Sequence, residues 1–220
     1  MSDKKSIIQS ISGEKISPRT DGQATLVQSI RKNKIIFVNG PAGTGKTFIA
    51  AAMAVKSFRE RRVEKIVLSR PAVEAGERLG FLPGTAEEKV EPYLQPLYDS
   101  IDSFFSFEDS KRMQQDKSIE VIPVAFMRGR TFRNAFIVID EAQNLTPLQM
   151  KMCLTRIGEG SCMVVTADTS QRDIPGTVSG FNDALNRVSS VKEIGHVELG
   201  PADVIRSDIV RRIIEAYNRI

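Results

Sequence analysis

At 220 residues, with 41% hydrophobic and 26% charged side chains, the chain has ordinary globular composition and enough length to bury a sizeable core. Apolar runs such as Ile35–Val38 and Phe136–Ile139 fall far short of the roughly 18 residues of a membrane span. Met1–Ser6 leads into no apolar signal core, so secretion is not expected. The formal net charge of +4 leans towards an anionic partner. Two cysteines, Cys153 and Cys162, exclude a disulfide framework or zinc site and read as buried thiols in a reducing cytoplasm.

Along the chain, short β-branched runs alternate with longer amphipathic stretches, the pattern of a parallel sheet covered by helices. The pattern predicts a helix over Asp21–Arg31, a strand over Ile35–Val38, a helix over Lys46–Arg61 and a strand over Lys65–Ser69. Residues Pro71–Pro96 are rich in glycine and proline, which marks a functional or mobile connection. A helix over Glu87–Ser103 follows, then strands over Ile119–Ile122 and Ala135–Ile139. The helix over Pro147–Arg156 carries its own start signal, Thr146 as cap and Pro147 in the first turn. Next come a strand over Met163–Thr166, a helix over Ser179–Val188, a strand over His196–Leu199 and a last helix over Asp203–Tyr217. Strands that are apolar at every position suit burial on both faces. Basic residues gather at Arg59, Arg61, Arg62 and Lys65, and again at Arg128, Arg130 and Arg133.

Three segments carry chemistry. Gly40-Pro41-Ala42-Gly43-Thr44-Gly45-Lys46-Thr47 follows a strand and opens a helix, the context in which this spacing means a phosphate cradle. Its glycines let backbone N–H groups turn inward, Lys46 reaches the β- and γ-phosphates, and Thr47 ligates Mg²⁺. Phe48, next along, joins the nucleotide contacts. The strand ending in Asp140 places a carboxylate near the magnesium, and Glu141 beside it is set to orient or deprotonate an attacking water. The strand ending in Thr166-Ala167-Asp168 reaches the γ-phosphate if it neighbours the first strand, and Asp168 and Gln171 are then phosphate sensors. The expected ligands are ATP and Mg²⁺. The expected fold is α/β, a three-layer P-loop NTPase core with a mostly parallel sheet.

From about Pro18 to Tyr217 the chain resembles the PhoH-like P-loop ATPases, which are akin to the core of superfamily-one helicases. The resemblance is carried by Gly40–Thr47, Arg70–Glu77, Leu79–Gly84, Met127–Phe132, Asp140–Asn144, Gln149–Met152 and Leu154–Gly158. It divides the chain into an N-terminal extension, 1–17, and an ATPase domain, 18–220. It implies that Gln23 reads adenine and that Gln143 and Asn144 link the nucleotide to a neighbouring loop. It further implies that Arg206 neutralises γ-phosphate charge, from a neighbouring subunit of a homo-oligomer, with a hexameric ring as the family-like form and Arg130 and Arg70 as the next candidates. Departures from the family pattern are Ala167 where glycine is usual, Ser207 where histidine is usual, and Val178 where lysine is frequent.

Three functions stay open at this point. The first is an ATPase acting on RNA or single-stranded nucleic acid as a helicase-like remodeller. The second is an ATP-switched binding module without unwinding activity, and the third a small-molecule phosphotransferase. No tryptophan and three tyrosines argue against a base-reading platform, so any nucleic-acid contact is expected at the sugar-phosphate backbone.

Overall fold

A computed structural model describes residues 6–71, 86–171, 178–206, 209–210 and 212–213. The chain starts with two very short antiparallel strands, β1 (Ile8–Gln9) and β2 (Lys15–Ile16). They lead into α1 (Asp21–Lys32), β3 (Ile35–Asn39), α2 (Lys46–Arg59) and β4 (Lys65–Arg70). After them come α3 (Ala86–Asp102), α4 (Phe107–Gln115), β5 (Ile119–Pro123) and β6 (Ala135–Ile139). The described part finishes with α5 (Pro147–Leu154), β7 (Cys162–Ala167), α6 (Gly180–Val188) and β8 (Ile194–Glu198).

Six strands form one parallel sheet in the order β5-β4-β6-β7-β3-β8. Their alternation divides the core into two layers, because successive side chains leave opposite faces. Ile36, Val38, Ile66, Leu68, Phe136, Val138 and Val164 face a layer filled by α1, α2 and α3. Phe37, Val67, Ile137, Ile139, Met163 and Val165 face the other, where α5 and α6 supply Met150, Cys153, Phe181 and Ala184. Phe37 meets Phe181 edge-on at 5.3 Å. Each such side chain contributes about 1.5–3 kcal/mol by leaving water, which makes all-buried β6 a rigid support for the residues that follow it. The expected α/β three-layer architecture is the observed one.

Helix α2 lies deepest. Ala50, Ala51, Ala52 and Ala54 are buried, and their small side chains let its axis approach the sheet closely. Residues 6–17, expected as an extension, pack onto this helix: Lys56 donates to the Ile7 carbonyl and Arg59 to that of Gln9. Thr146 and Gln149 cap α5 reciprocally, with Pro147 in the first turn, as the sequence signal required. Helix α4 lacks an apolar stripe, which hid it from the periodicity. It is started by Ser106, whose hydroxyl accepts from the Asp109 N–H.

The C-terminus differs from expectation. Pro201–Asp203 is a 3-10 turn and 204–206 are non-helical, so no helix starts at Asp203. Residues 209–210 and 212–213 are helical, and the rest of the expected span lies outside the described residues. Arg206 is therefore not on that helix. The glycine- and proline-rich stretch divides too: 72–85 lies outside the described residues, whereas Pro92 and Pro96 sit inside α3.

One residue from each expected basic cluster, Lys65 and Arg130, is paired with a carboxylate, while Arg59, Arg61, Arg62, Arg128 and Arg133 stay exposed. Glu120, on β5, accepts from Lys65 at 2.7 Å and from Arg130 at 2.8 Å, and the Arg130 guanidinium lies 4.6 Å from the centre of the Phe132 ring. Burial pushes the Glu120 carboxyl up, but the bonds and charges of Lys65 and Arg130 pull it further down, leaving it below its ordinary range. A carboxyl with a depressed folded value stabilises fully above its unfolded value, and the gain is lost as pH falls through the folded one. Glu120→Gln is therefore expected to cost about 1–3 kcal/mol at neutral pH. The gap to the parent should close in acid, and denaturant titrations at both pH values check this.

Candidate functional site

The turn between β3 and α2 is held open by two residues in the left-handed region, Gly43 (φ +87°) and Gly45 (φ +76°). A Cβ on Gly43 would sit 2.7 Å from Arg206 Nε, and one on Gly45 2.9 Å from Gln23 Nε2, so space and conformation both require glycine. No side chain caps α2, which leaves its first turn to an anionic ligand. Lys46 Nζ donates to the carbonyls of Gly40 at 2.6 Å and Pro41 at 3.0 Å, and Thr44 Oγ1 also donates to Pro41. Burial pulls the Lys46 ammonium below its ordinary range, against the opposing charges of Asp168, Asp140 and Glu141.

Parallel pairing then brings the carboxylates in. Strand β7 lies between β3 and β6, so Lys46, Asp140 and Asp168 converge at one edge of the sheet. Thr47 Oγ1 donates to Asp140 Oδ1 at 2.7 Å, and Thr166 Oγ1 donates to the same oxygen. This is the pairing expected of a magnesium ligand and its outer carboxylate. Glu141 takes a left-handed backbone (φ +54°). Its side chain accepts from Gln143 Nε2 and lies 3.9 Å from Arg70 Nη2. Burial, then the Asp140 charge, pushes the Glu141 carboxyl above its ordinary range, with Gln143, Arg70 and Lys46 offsetting part of the rise. A carboxyl raised in this way is a better proton acceptor near neutral pH.

Gln143 is buried and bonds in two directions, since its Oε1 also accepts from the Asp168 N–H at 3.0 Å. It thus connects the Glu141 turn to the loop after β7. Asp168 Oδ1 accepts from Ser170, while its buried Oδ2 has no partner among the described residues. Lys46, Thr47, Asp140, Glu141, Asp168 and Gln171 all line one open cavity of about 630 Å³. Ala167, where glycine was expected, fits: it is buried and its carbonyl accepts from the Gly40 N–H.

A second cavity, about 390 Å³, shares Gly43, Gly45 and Phe48 with the first and runs under Glu14–Arg19. Gln23 lines it. Its Nε2 donates to the Thr44 carbonyl at 2.9 Å and its Oε1 accepts from the Arg19 N–H at 2.8 Å. Phe48 stacks on Phe104 with ring centres 5.8 Å apart.

Arg206 donates to the Ala42 carbonyl of its own chain at 2.9 Å. Arg70 faces Glu141, and Arg130 is bound to Glu120. All three arginines expected to serve a neighbouring subunit are thus engaged within this one. Sequence reasoning missed Thr166 as a donor to Asp140, Arg70 as a companion of Glu141, and the wall that Pro96, Asp99 and Ser100 of α3 give the cavity. Arg70 comes beside Glu141 because β4 pairs in parallel with β6, Ser69 level with Ile139.

This fold and cradle define a P-loop nucleoside-triphosphatase core. The large terminase of a thermophilic bacteriophage shares the fold at TM-score 0.53 and 12% identity, over 89% of this chain and 49% of that one. The family model for PhoH-like proteins matches residues 15–218, and the chain belongs to that family. It is 45% identical to a PhoH-like protein of Bacillus subtilis over 98% of this chain and 68% of that one. It is 47% identical to one of Synechocystis, over 94% and 63% of the two chains, and 41% identical to Protein PhoH of Escherichia coli, over 92% and 58%. The chain thus spans roughly three-fifths to two-thirds of these relatives' lengths.

The donor set fits magnesium: a threonine hydroxyl for direct ligation and a carboxylate behind it. Asp140→Asn keeps an oxygen for both hydroxyls, so stability should change by no more than about 1 kcal/mol. Magnesium should then no longer strengthen binding of a fluorescent ADP, measured by titration with the metal or with chelator.

Proposed function

We propose that the chain binds Mg-ATP at this site and hydrolyses it, and that RNA or single-stranded nucleic acid is the substrate on which the energy acts. The observation that carries the reading is the Thr47–Asp140 bond at 2.7 Å, with Glu141 beside it and Lys46 in the same cavity. Lys46 releases the Gly40 and Pro41 carbonyls and takes the β- and γ-phosphates as its counterions. Thr47 and, behind it, Asp140 would hold magnesium, which would supply charge neutralisation to the phosphates. Glu141 orients the attacking water and accepts its proton. Asp168 and Gln171 register the γ-phosphate, and Gln143 carries a shift of their loop to Glu141. Gln23 retains one amide N–H and one oxygen lone pair beyond its two bonds, enough to meet adenine N7 and the N6 amino group, with Phe48 beside it.

The nucleic-acid part is supported by the net charge of +4 and by exposed Arg61, Arg128 and Arg133; Arg130, tied to Glu120, is not counted among the contacts. Among the described residues no helix is long and apolar enough to cross a membrane. Burial pushes both thiols up to about 12, so neither is poised to react. A homo-oligomer, with a hexameric ring as its closed form, is proposed on the resemblance. Light scattering with ATP is its check, and a monomeric mass would contradict it.

Lys46→Ala is expected to abolish measurable ATP binding. Glu141→Gln should keep binding and lose about 10²–10⁴-fold in turnover, the usual share of a positioned base. The deciding assay is phosphate release with and without RNA or single-stranded DNA. Strong stimulation supports the reading, whereas slow unstimulated turnover points to an ATP-switched binding module. Nucleic-acid affinity should fall linearly on a log–log plot against salt, and a flat plot would contradict the electrostatic contact.

A further inference from the structure

The segment after β8 does not leave the molecule freely. Gly200 and Gly22 both donate their N–H groups to the Asp203 carboxylate, at 2.9 and 3.1 Å, which pins the segment to the start of α1. Beyond this anchor, the Ile205 N–H donates to the Gly43 carbonyl at 2.9 Å, and Arg206 Nη2 donates to the Ala42 carbonyl at 2.9 Å. From the α1 side, Gln23 holds the next carbonyl, that of Thr44. Three consecutive carbonyls of the phosphate loop are therefore gripped from outside it.

In a planar trans peptide the C=O and the following N–H point in opposite directions. Holding the carbonyls of Ala42, Gly43 and Thr44 outward thus turns the N–H groups of Gly43, Thr44 and Gly45 the other way, into the concavity that receives an anion. The same side chains roof the two left-handed glycines, Arg206 over Gly43 and Gln23 over Gly45.

We infer that Arg206 and the Ile205 backbone form a clamp in cis that presets the phosphate loop, so that Arg206 is a positioning residue for nucleotide binding in its own subunit. The inference rests on the ATP-site reading, and it replaces the role of an arginine acting on the γ-phosphate of a neighbour. The two roles separate on ADP. A clamp serves every nucleotide bearing a β-phosphate, whereas a γ-phosphate arginine leaves ADP affinity alone and lowers only turnover.

The test uses Arg206→Ala, Arg206→Lys and Ile205→Pro. The last removes the N–H donor, and Val204 already has the extended backbone (φ −72°, ψ 117°) that a residue before proline requires. In nucleotide-free protein, amide hydrogen exchange over 40–47 should quicken in Arg206→Ala and Ile205→Pro. Fluorescent ADP and ATP should both bind about 10- to 100-fold more weakly to Arg206→Ala, the effect of one charge-assisted hydrogen bond. Arg206→Lys, which keeps a donor, should recover part of the loss. Unchanged exchange over 40–47, or unchanged ADP affinity with reduced turnover, overturns the clamp. Should the parent protein bind neither nucleotide, the ATP-site reading fails, while the exchange measurement still decides whether the clamp exists.

Discussion

Everything in this site depends on which way six peptide groups face. The carbonyls from Gly40 to Gly45 all accept hydrogen bonds: from Lys46, Thr44, Arg206, the Ile205 N–H, Gln23 and the Ile49 N–H. A backbone polar group withheld from water must find a partner, and holding the carbonyls of Ala42, Gly43 and Thr44 commits the N–H groups of Gly43, Thr44 and Gly45 to the opposite side. The carbonyls of Ala42, Gly43 and Thr44 are thus held before a ligand arrives, and Lys46 is the donor that must leave its two carbonyls to meet one. Glycine at 43 and 45 is part of the same constraint, because the left-handed turns carry the gripped carbonyls and leave no room for a Cβ.

The sheet determines what the cradle faces. Placing β7 between β3 and β6 puts Thr166 within reach of Asp140, and Asp140 within reach of Thr47. The carboxylates lie close enough to Lys46 to offset part of its burial, so cation and anions stabilise one another in a half-enclosed space. Gln143 then joins the two loops that follow β6 and β7 through a pair of bonds from one amide. A shift at Asp168 reaches Glu141 through this amide, which is what the proposed coupling of phosphate contact to hydrolysis requires.

Much of this was legible in the residues. Uniformly apolar Ile35–Val38 and Ala135–Ile139 announced doubly covered strands, and Thr146-Pro147 announced a helix start to the residue. Gly40–Thr47 and Asp140-Glu141 were readable because phosphate and magnesium chemistry demand those residue types at that spacing. What escaped was long-range pairing between charges. Nothing in the order of residues says that Glu120 captures both Lys65 and Arg130, or that Arg206 folds back 164 positions onto Ala42. The helix expected from Asp203 failed for a local reason: Asp203 is engaged as an anchor for Gly200 and Gly22, and the chain is drawn flat against the loop instead of coiling.

The most direct measurement is a crystal structure of the protein grown with magnesium, ADP and beryllium fluoride. The β-phosphate should lie within hydrogen-bond distance of the N–H groups of Gly43, Thr44 and Gly45, with magnesium on Thr47 Oγ1 and Asp140 behind it. Glu141 should face the beryllium fluoride through a water. Nucleotide bound elsewhere, or a loop whose Ala42–Thr44 carbonyls had turned inward, would contradict it.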